Sequence, residues 1–311
     1  MSAMPAERLP VVAGEGPTIT VRVPATSANL GPGFDSFGLA LARYDEVSVC
    51  RTDGPLEVVV SGFGADDVPL DDRHLIIRAI GTALTAAGAP ADPTGLRLTC
   101  VNRIPHGGGL GSSAAAIVAG LLLGRELAAE NGRRLSDDEL LALATAMEGH
   151  PDNVAPALVG GFTLAFTGED GVPVAIRRDV HPDVRIVVFA AQESSSTHHT
   201  RGLLPATVPH ADAAANAADA ALLVHALTVD PAYLLPATRD RLHQPYRAAS
   251  MPASAALMTH LRAAGVPAVI SGAGPSVIAL VAGDFDVNAW RRPGFDVDFV
   301  PVCPAGARLV D

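Results

Sequence analysis

Pro105-His106-Gly107-Gly108-Gly109-Leu110-Gly111-Ser112-Ser113-Ala114-Ala115-Ala116 is the stretch on which the reading of this chain turns. Residues 96–102, just before it, alternate in character and predict a strand. Residues 112–130, which include its last five positions, predict an apolar helix. A glycine-rich turn from strand to helix lets several backbone N–H groups converge without obstruction by Cβ atoms. The helix N-terminus adds partial positive charge at the same point. Together these predict a phosphate cradle. Two common cradles do not fit. A Walker A loop needs Gly-Lys-Ser/Thr before its helix, and no lysine is present here. A dinucleotide-binding fingerprint needs Gly-x-Gly-x-x-Gly, a spacing that Gly107, Gly109 and Ser112 break. A plain turn before a core helix would leave the pair Ser112-Ser113 unexplained, and those hydroxyls suit phosphate or Mg²⁺.

Upstream of the loop, residues 18–23 predict a strand that runs into a turn-rich stretch, residues 24–35. Residues 46–51 and 56–61 predict further strands. Asp71 or Asp72 is expected to cap a helix that ends at Gly88. Downstream, Ser136 and Glu139 form a capping box for a helix over 140–147. A strand is expected over 162–166, and a loop with Gly168, Gly171 and Pro173 suggests a domain boundary near residue 175. Beyond it come a strand at 185–190, an alanine-rich helix over 211–227, a helix near 239–247, and two strands at 268–271 and 277–281. Residues 1–16 read as a loose extension. The mixture argues for α+β architecture in two domains, 17–175 and 176–311.

Bulk properties bound the function. The 311 residues are 49% hydrophobic and 18% charged, a globular composition, and aromatics at 4% leave the core to small aliphatic side chains. A net charge of −11 argues against general binding to nucleic acid. No apolar run approaches the roughly 20 residues that span a bilayer, and Met1–Pro17 lacks a signal-peptide core. Cys50, Cys100 and Cys303 show neither pairing nor metal spacing, which suits a reducing compartment. The expectation is a cytoplasmic protein without nucleic-acid or membrane partners. Its oligomeric state, a homodimer included, is left open.

Three further clusters carry polar chemistry. Asn29 and Asp35 flank a Gly-Pro-Gly turn, as turn chemistry alone would explain, or else they present an amide and a carboxylate to a cleft. Glu148-Gly149-His150-Pro151-Asp152-Asn153 places polar residues between two apolar segments. A carboxylate in the last turn of a helix is electrostatically unfavourable, a cost that a nearby Mg²⁺ would reverse. Thr197 and Arg201 follow a strand, and Arg247 lies in Gln244-Pro245-Tyr246-Arg247. A lone arginine is ordinarily a solvated charge, but two of them make an anchor for a carboxylate. His198 and His199 lack a third ligand at convincing spacing and read as loop histidines.

The loop at 105–116 resembles the phosphate-binding motif of the GHMP kinases. Residues 25–35, Ala-Thr-Ser-Ala-Asn-Leu-Gly-Pro-Gly-Phe-Asp, resemble the N-terminal motif of that family's homoserine kinase branch, and Ser271-Gly272-Ala273-Gly274-Pro275-Ser276 resembles its C-terminal glycine loop. The resemblance covers nearly the whole chain. It implies an N-terminal domain like domain 2 of ribosomal protein S5 and a ferredoxin-like C-terminal domain. It also implies transfer of phosphate from ATP, with Mg²⁺, to the side-chain hydroxyl of L-homoserine, a step of threonine biosynthesis.

Carried over residue by residue, the resemblance puts ATP on Pro105, His106, Gly107, Gly108, Gly109, Leu110, Gly111, Ser112, Ser113, Ala114 and Ala115. Mg²⁺ falls to Ser112 and Glu148, and the catalytic group comprises Glu148, Asn153 and Ser112. Asn29, Asp35, His150, Thr197, Arg201, Arg247 and Gly274 line the amino-acid site. Within it, the two arginines hold the carboxylate, Asp35 the ammonium, and Asn29 and Asn153 face the hydroxyl. One departure stands out: homoserine kinases often carry Arg where this chain has Gly108. Mevalonate, shikimate or a sugar remains open as a substrate, as does a catalytically silent ATP sensor on the same fold.

Overall fold

The computed structural model describes residues 16–193 and 200–310. Thr197, His198 and His199 lie outside the described residues, as does nearly all of the expected N-terminal extension. The first unit is built on a seven-stranded sheet. Its strands are β1 (Ile19–Ala28), β2 (Phe37–Arg51), β3 (Glu57–Gly62), β4 (Leu96–Asn102), β5 (Phe162–Thr167), β6 (Pro173–Arg178) and β11 (Arg308–Val310). The path β11-β1-β2-β4-β3 is antiparallel except for the parallel pair β3–β4, and β5 joins the other half of β2 and carries β6. β1 continues through the stretch that reads as turn in sequence. Pairing against β2 overrides the Pro and Ser there, and a register shift falls between Pro24 and Ala25.

Four helices cover this sheet: α1 (Leu75–Ala87), α2 (Ser112–Leu127), α3 (Asp137–Glu148) and α4 (Pro151–Val159). α2 is apolar on nearly all sides because it is central, with β1, α1, α3 and α4 all packed around it. Its close approach to α1 depends on Gly120 and Gly124. A Cβ on either would sit 2.6–2.7 Å from a carbonyl oxygen and an alanine methyl of α1. The cap of α1 is His74, whose Nδ1 accepts the Ile76 N–H at 3.3 Å. Asp71 is spent on Arg73, whose backbone N–H and guanidinium it accepts, so neither Asp71 nor Asp72 caps this helix.

The second unit holds β7 (Val184–Ala191), α5 (His210–Thr228), the short helices α6 (Leu234–Ala237) and α7 (Gln244–Arg247), α8 (Pro252–Ala263), β8 (Ala268–Ile270), β9 (Val277–Ala282) and β10 (Phe295–Phe299). Its antiparallel sheet runs β10-β7-β9-β8, which is the 4-1-3-2 order of a ferredoxin-like domain. Both faces are covered, so β7 is a continuous apolar run from Ile186 onward. Ile186, Val188 and Ala190 join the main core, while Val187 and Phe189 join the cluster under α8.

The expected boundary at residue 175 falls inside β6, which hydrogen-bonds with β5. After β10 the chain returns to the first unit. The Cys303 N–H donates to the Ala40 carbonyl at 2.9 Å, the Gly161 N–H to the Cys303 carbonyl at 2.8 Å, and β11 adds to β1. The two units are therefore cross-braced rather than strung in series.

Candidate active site

Three helix ends meet in a cleft of about 410 Å³ between the units, a volume within the range of small-molecule sites. The N-terminus of α2 carries Ser112 and Ser113, the C-terminus of α3 carries Glu148, and the first turn of α4 carries Asn153. Gly149, with φ of 92°, ends α3, and Pro151 opens α4 one residue after the His150 cap. The polar cluster at 148–153 is thus a two-residue joint between helices. The positive ends of α2 and α4 open on one side of the cleft, and Glu148 supplies the negative charge between them.

The glycine loop packs against the second unit. The Ser276 N–H donates to the Gly108 carbonyl at 3.2 Å, and the Ser271 hydroxyl donates to the Gly109 carbonyl at 2.6 Å. Gly272 closes the contact by donating its N–H to the Ala28 carbonyl at 3.1 Å. The two glycine loops and the end of β1 thus form one seam, with Gly272, Ala273 and Gly274 facing the cleft. Gly109 sits at φ of 76°, and a Cβ there would lie 2.5 Å from the Ser271 carbonyl oxygen. Gly111, the cap of α2 at φ of 71°, packs directly on Thr26. Gly108 has ordinary φ and only the Pro105 Cβ, 3.2 Å away, near its open side. The side chains of Leu110 and Ala114 are buried and hold the loop from beneath.

The hydroxyl that reaches Glu148 is that of Ser113, which donates to Oε2 at 2.8 Å; Ser112 also lines the cleft. Burial pushes the Glu148 carboxyl up, against the pull of Ser113 and His150. Asp152 is buried and pairs with His150 through Nδ1, which holds that imidazole above its ordinary value. Asn153 accepts the Thr26 hydroxyl on Oδ1 at 2.8 Å.

A half-buried carboxylate beside serine hydroxyls is a hard oxygen donor set of the kind Mg²⁺ takes when it is bound largely through phosphates. Among the described residues no group of three or more His, Cys, Asp or Glu side chains is placed to hold a metal unaided.

At the other end of the cleft, charges converge on Phe34. The guanidinium carbons of Arg201 and Arg247 lie 5.6 and 5.5 Å from its ring centroid, and His243 stacks on it at 5.3 Å. Arg201 donates to Asp35 at 2.7 Å. Arg247 is only 3% exposed. It donates to the Thr200 carbonyl at 3.2 Å and to Nδ1 of His243 at 3.3 Å, and His243 in turn donates its Nε2–H to the Gly31 carbonyl at 2.8 Å. Burial lowers the Arg247 pKa and the charge of Arg201 lowers it further. Two neighbouring guanidiniums, one of them paired with a carboxylate, have the charge pattern to take up a carboxylate.

Asn29 lines the cleft, and its amide also braces the turn. Its Nδ2 donates to the Gly272 carbonyl at 3.0 Å and its Oδ1 accepts the Asp35 N–H at 2.9 Å, so the buried amide is a strut between turn and seam. Asn29, Leu30 and Asp35 all carry positive φ, at 67°, 50° and 55°, and the strut holds that turn in place. Thr26, Phe34, Asp152 and His243 are site residues to which sequence reasoning assigned no role. Only the His-x-Asp spacing at 150 and 152 carried a signal.

Two family models cover part of this cleft, including the glycine loop, Glu148, Asn153 and Arg247. The description "GHMP kinases N terminal domain" matches residues 74–161, and "GHMP kinases C terminal" matches 211–294. The chain belongs to the GHMP kinases. More narrowly, it belongs to their homoserine kinase family. It is 54% identical over 266 residues to a homoserine kinase of Streptomyces coelicolor, covering 86% of this chain and 85% of that one. It is 49% identical over 283 residues to one of Rhodococcus erythropolis, covering 88% and 89%. Among solved structures, a homoserine kinase of Cytophaga hutchinsonii superposes with a TM-score of 0.81 at 25% identity, over 97% of this chain and all of that one. A mevalonate kinase of L. major shares the fold, with a TM-score of 0.67 at 17% identity over 95% and 98% of the two chains.

Proposed function

We propose that this enzyme transfers the γ-phosphoryl group of ATP to the side-chain hydroxyl of L-homoserine, giving O-phospho-L-homoserine and ADP, in the cytoplasm and on the way to threonine. The observation that carries the reading is the pair Arg201 and Arg247, gathered with Asp35 around Phe34 in the same cleft as the glycine loop. A sugar or another neutral alcohol has no use for that charge pattern.

The nucleotide phosphates lie along residues 107–113, held by backbone N–H groups and the N-terminus of α2. Glu148 with the hydroxyls of Ser112 and Ser113 would hold Mg²⁺, which neutralises phosphate charge when bound. Arg201 and Arg247 take the substrate carboxylate and Asp35 its ammonium. This leaves the side chain of the amino acid to extend toward Asn153 and the α2 N-terminus. His150, tied to Asp152, fixes the joint between α3 and α4 and with it the spacing of Glu148 and Asn153. Positioning and charge stabilisation account for most of the catalysis, as is general for phosphoryl transfer.

The test is ATP turnover with homoserine, mevalonate, shikimate and galactose in parallel. Turnover confined to homoserine supports the reading. Turnover of another member of the panel reassigns the substrate, and none at all leaves an ATP-binding protein.

A further inference from the structure

Thr26 is fully buried at the end of β1 and makes three contacts that meet at one point. Its backbone N–H donates to the Leu110 carbonyl at 3.0 Å, which ties it to the glycine loop. Its side chain lies under Gly111, so closely that no Cβ fits there. Its hydroxyl donates to Oδ1 of Asn153 at 2.8 Å. The last bond orients a primary amide. With the carbonyl end committed to Thr26, the NH₂ end of Asn153 is what the first turn of α4 offers to the cleft.

We propose that Thr26 is a positioning residue for phosphoryl transfer: it locks the Asn153 amide so that Nδ2 donates into the cleft, and it couples that orientation to the seating of the glycine loop. The inference rests on the reading of Asn153 as the residue beside the reacting hydroxyl, and it deepens that reading. A locked donor hydrogen-bonds to an oxygen of the substrate hydroxyl or of the transferring phosphoryl group. It cannot take up the hydroxyl proton. Rotation of the free amide would bring Oδ1 to the same place and reverse the polarity of the contact. A residue that only had to fill space under Gly111 would need no hydroxyl.

The experiment compares Thr26→Val, Thr26→Ser, Asn153→Ala and the double variant Thr26→Val/Asn153→Ala with the wild type. Valine keeps the shape and the backbone N–H and removes only the donor, and serine restores it. Each variant is first checked for an unchanged far-ultraviolet spectrum and thermal midpoint, and kcat and both KM values are then measured. One neutral hydrogen bond corresponds to about a 2- to 10-fold change. Thr26→Val is expected to lower kcat by that factor with KM for ATP within about twofold, and Thr26→Ser to recover it. The double variant is expected to be no slower than Asn153→Ala alone, because Thr26 acts through Asn153.

The proposal is overturned if Thr26→Val leaves kcat unchanged while Asn153→Ala lowers it, or if the two effects multiply. It is equally overturned if valine and serine behave alike. If Asn153→Ala itself leaves kcat unchanged, the placement of Asn153 at the reaction fails first, and the positioning role falls with it. Should Thr26→Val prove unstable, Thr26→Ser alone decides: wild-type kcat supports a requirement for the hydroxyl, and a kcat lowered 2- to 10-fold in folded protein refutes it.

Discussion

Asp35 and Arg201 already satisfy each other at 2.7 Å, with side chains 34% and 43% exposed. A homoserine molecule breaks that pair and forms two, ammonium to Asp35 and carboxylate to Arg201. A ligand with only a carboxylate must take Arg201 and leave Asp35 stripped beside a second negative charge. Replacing Asp35 with Asn should therefore act in opposite directions on two ligands. The half-exposed ion pair is worth about 0.2–1 kcal/mol. Freeing Arg201 from it should tighten 4-hydroxybutyrate by about 1.4- to 5-fold. Homoserine loses a hydrogen bond between charged groups, worth about 1.5–3 kcal/mol, and should weaken by about 10- to 150-fold. Discrimination between the two should thus collapse by a factor on the order of 10 to 10³. Calorimetric titration of both ligands in the presence of Mg-ADP measures this without turnover. Removing Arg201 as well, as Asp35→Asn/Arg201→Ala, separates the pair from simple repulsion, since the gain for 4-hydroxybutyrate should then vanish. Equal weakening of both ligands by Asp35→Asn, or no effect on homoserine, would refute the reasoning.

Arg201→Ala and Arg247→Ala should each raise KM for homoserine by roughly 10- to 150-fold with little change for ATP. Only Arg247→Ala should also lower the thermal midpoint, because its buried guanidinium supports Thr200 and His243; an effect on ATP in place of homoserine would show the assignment wrong. Gly109→Val and Gly111→Val should abolish ADP binding, since both positions hold positive φ and a Cβ at residue 109 would meet the Ser271 and Gly274 carbonyls at 2.5 and 2.8 Å. Ordinary ADP affinity in a folded Gly111→Val protein would exclude this loop as the cradle. Asp45 accepts the N–H groups of Arg103 and Ile104 at the entry to the loop, and burial pushes its carboxyl up to about 6. The folded state therefore holds the proton more tightly than the unfolded chain, so this group favours folding increasingly as pH falls from above 6 toward 4. The wild-type midpoint, measured relative to Asp45→Asn, should rise across that window, and parallel melting curves would show that Asp45 does not titrate there.

What could be read from the sequence was local. The glycine loop, the Ser136–Glu139 capping box and the αL glycines at 88 and 149 depend on neighbours within four residues, and all are in place. α4 was not legible, although Pro151 at its first position is a helix-start signal, because the polar residues before it read as loop. β6, β10 and β11 are short and take their order from pairing with distant strands, which no local pattern encodes. The same limit applied to the site. Arg201 and Arg247 could be paired only through the resemblance, and their shared neighbour Phe34 lies more than 160 positions upstream. Asn29 and Asn153 are both asparagines in polar turns, and only their partners distinguish a strut from a donor.

Those partners also bear on where the proton of the substrate hydroxyl goes. Four side chains near the transfer point could in principle accept it, and each is otherwise engaged. Asn153 presents its NH₂ group, with its carbonyl end taken by Thr26. Asp35 is neutralised by Arg201 in the free enzyme and by the ammonium of the substrate in the proposed complex. His150 is tied through Nδ1 to Asp152, which holds its pKa above the ordinary value. Glu148 accepts from Ser113 and is the proposed ligand for Mg²⁺; a carboxylate committed to a cation is a poor base. The site is accordingly rich in donors and positive helix ends around the phosphoryl group and poor in free acceptors around the nucleophile. That distribution suits a loose transition state, in which the attacking oxygen needs little activation and the charge to be stabilised lies on the group in transit. In the proposed mechanism the proton leaves late, to the phosphate oxygens themselves. Thr26, behind Asn153, takes up the amide oxygen that would otherwise face the nucleophile.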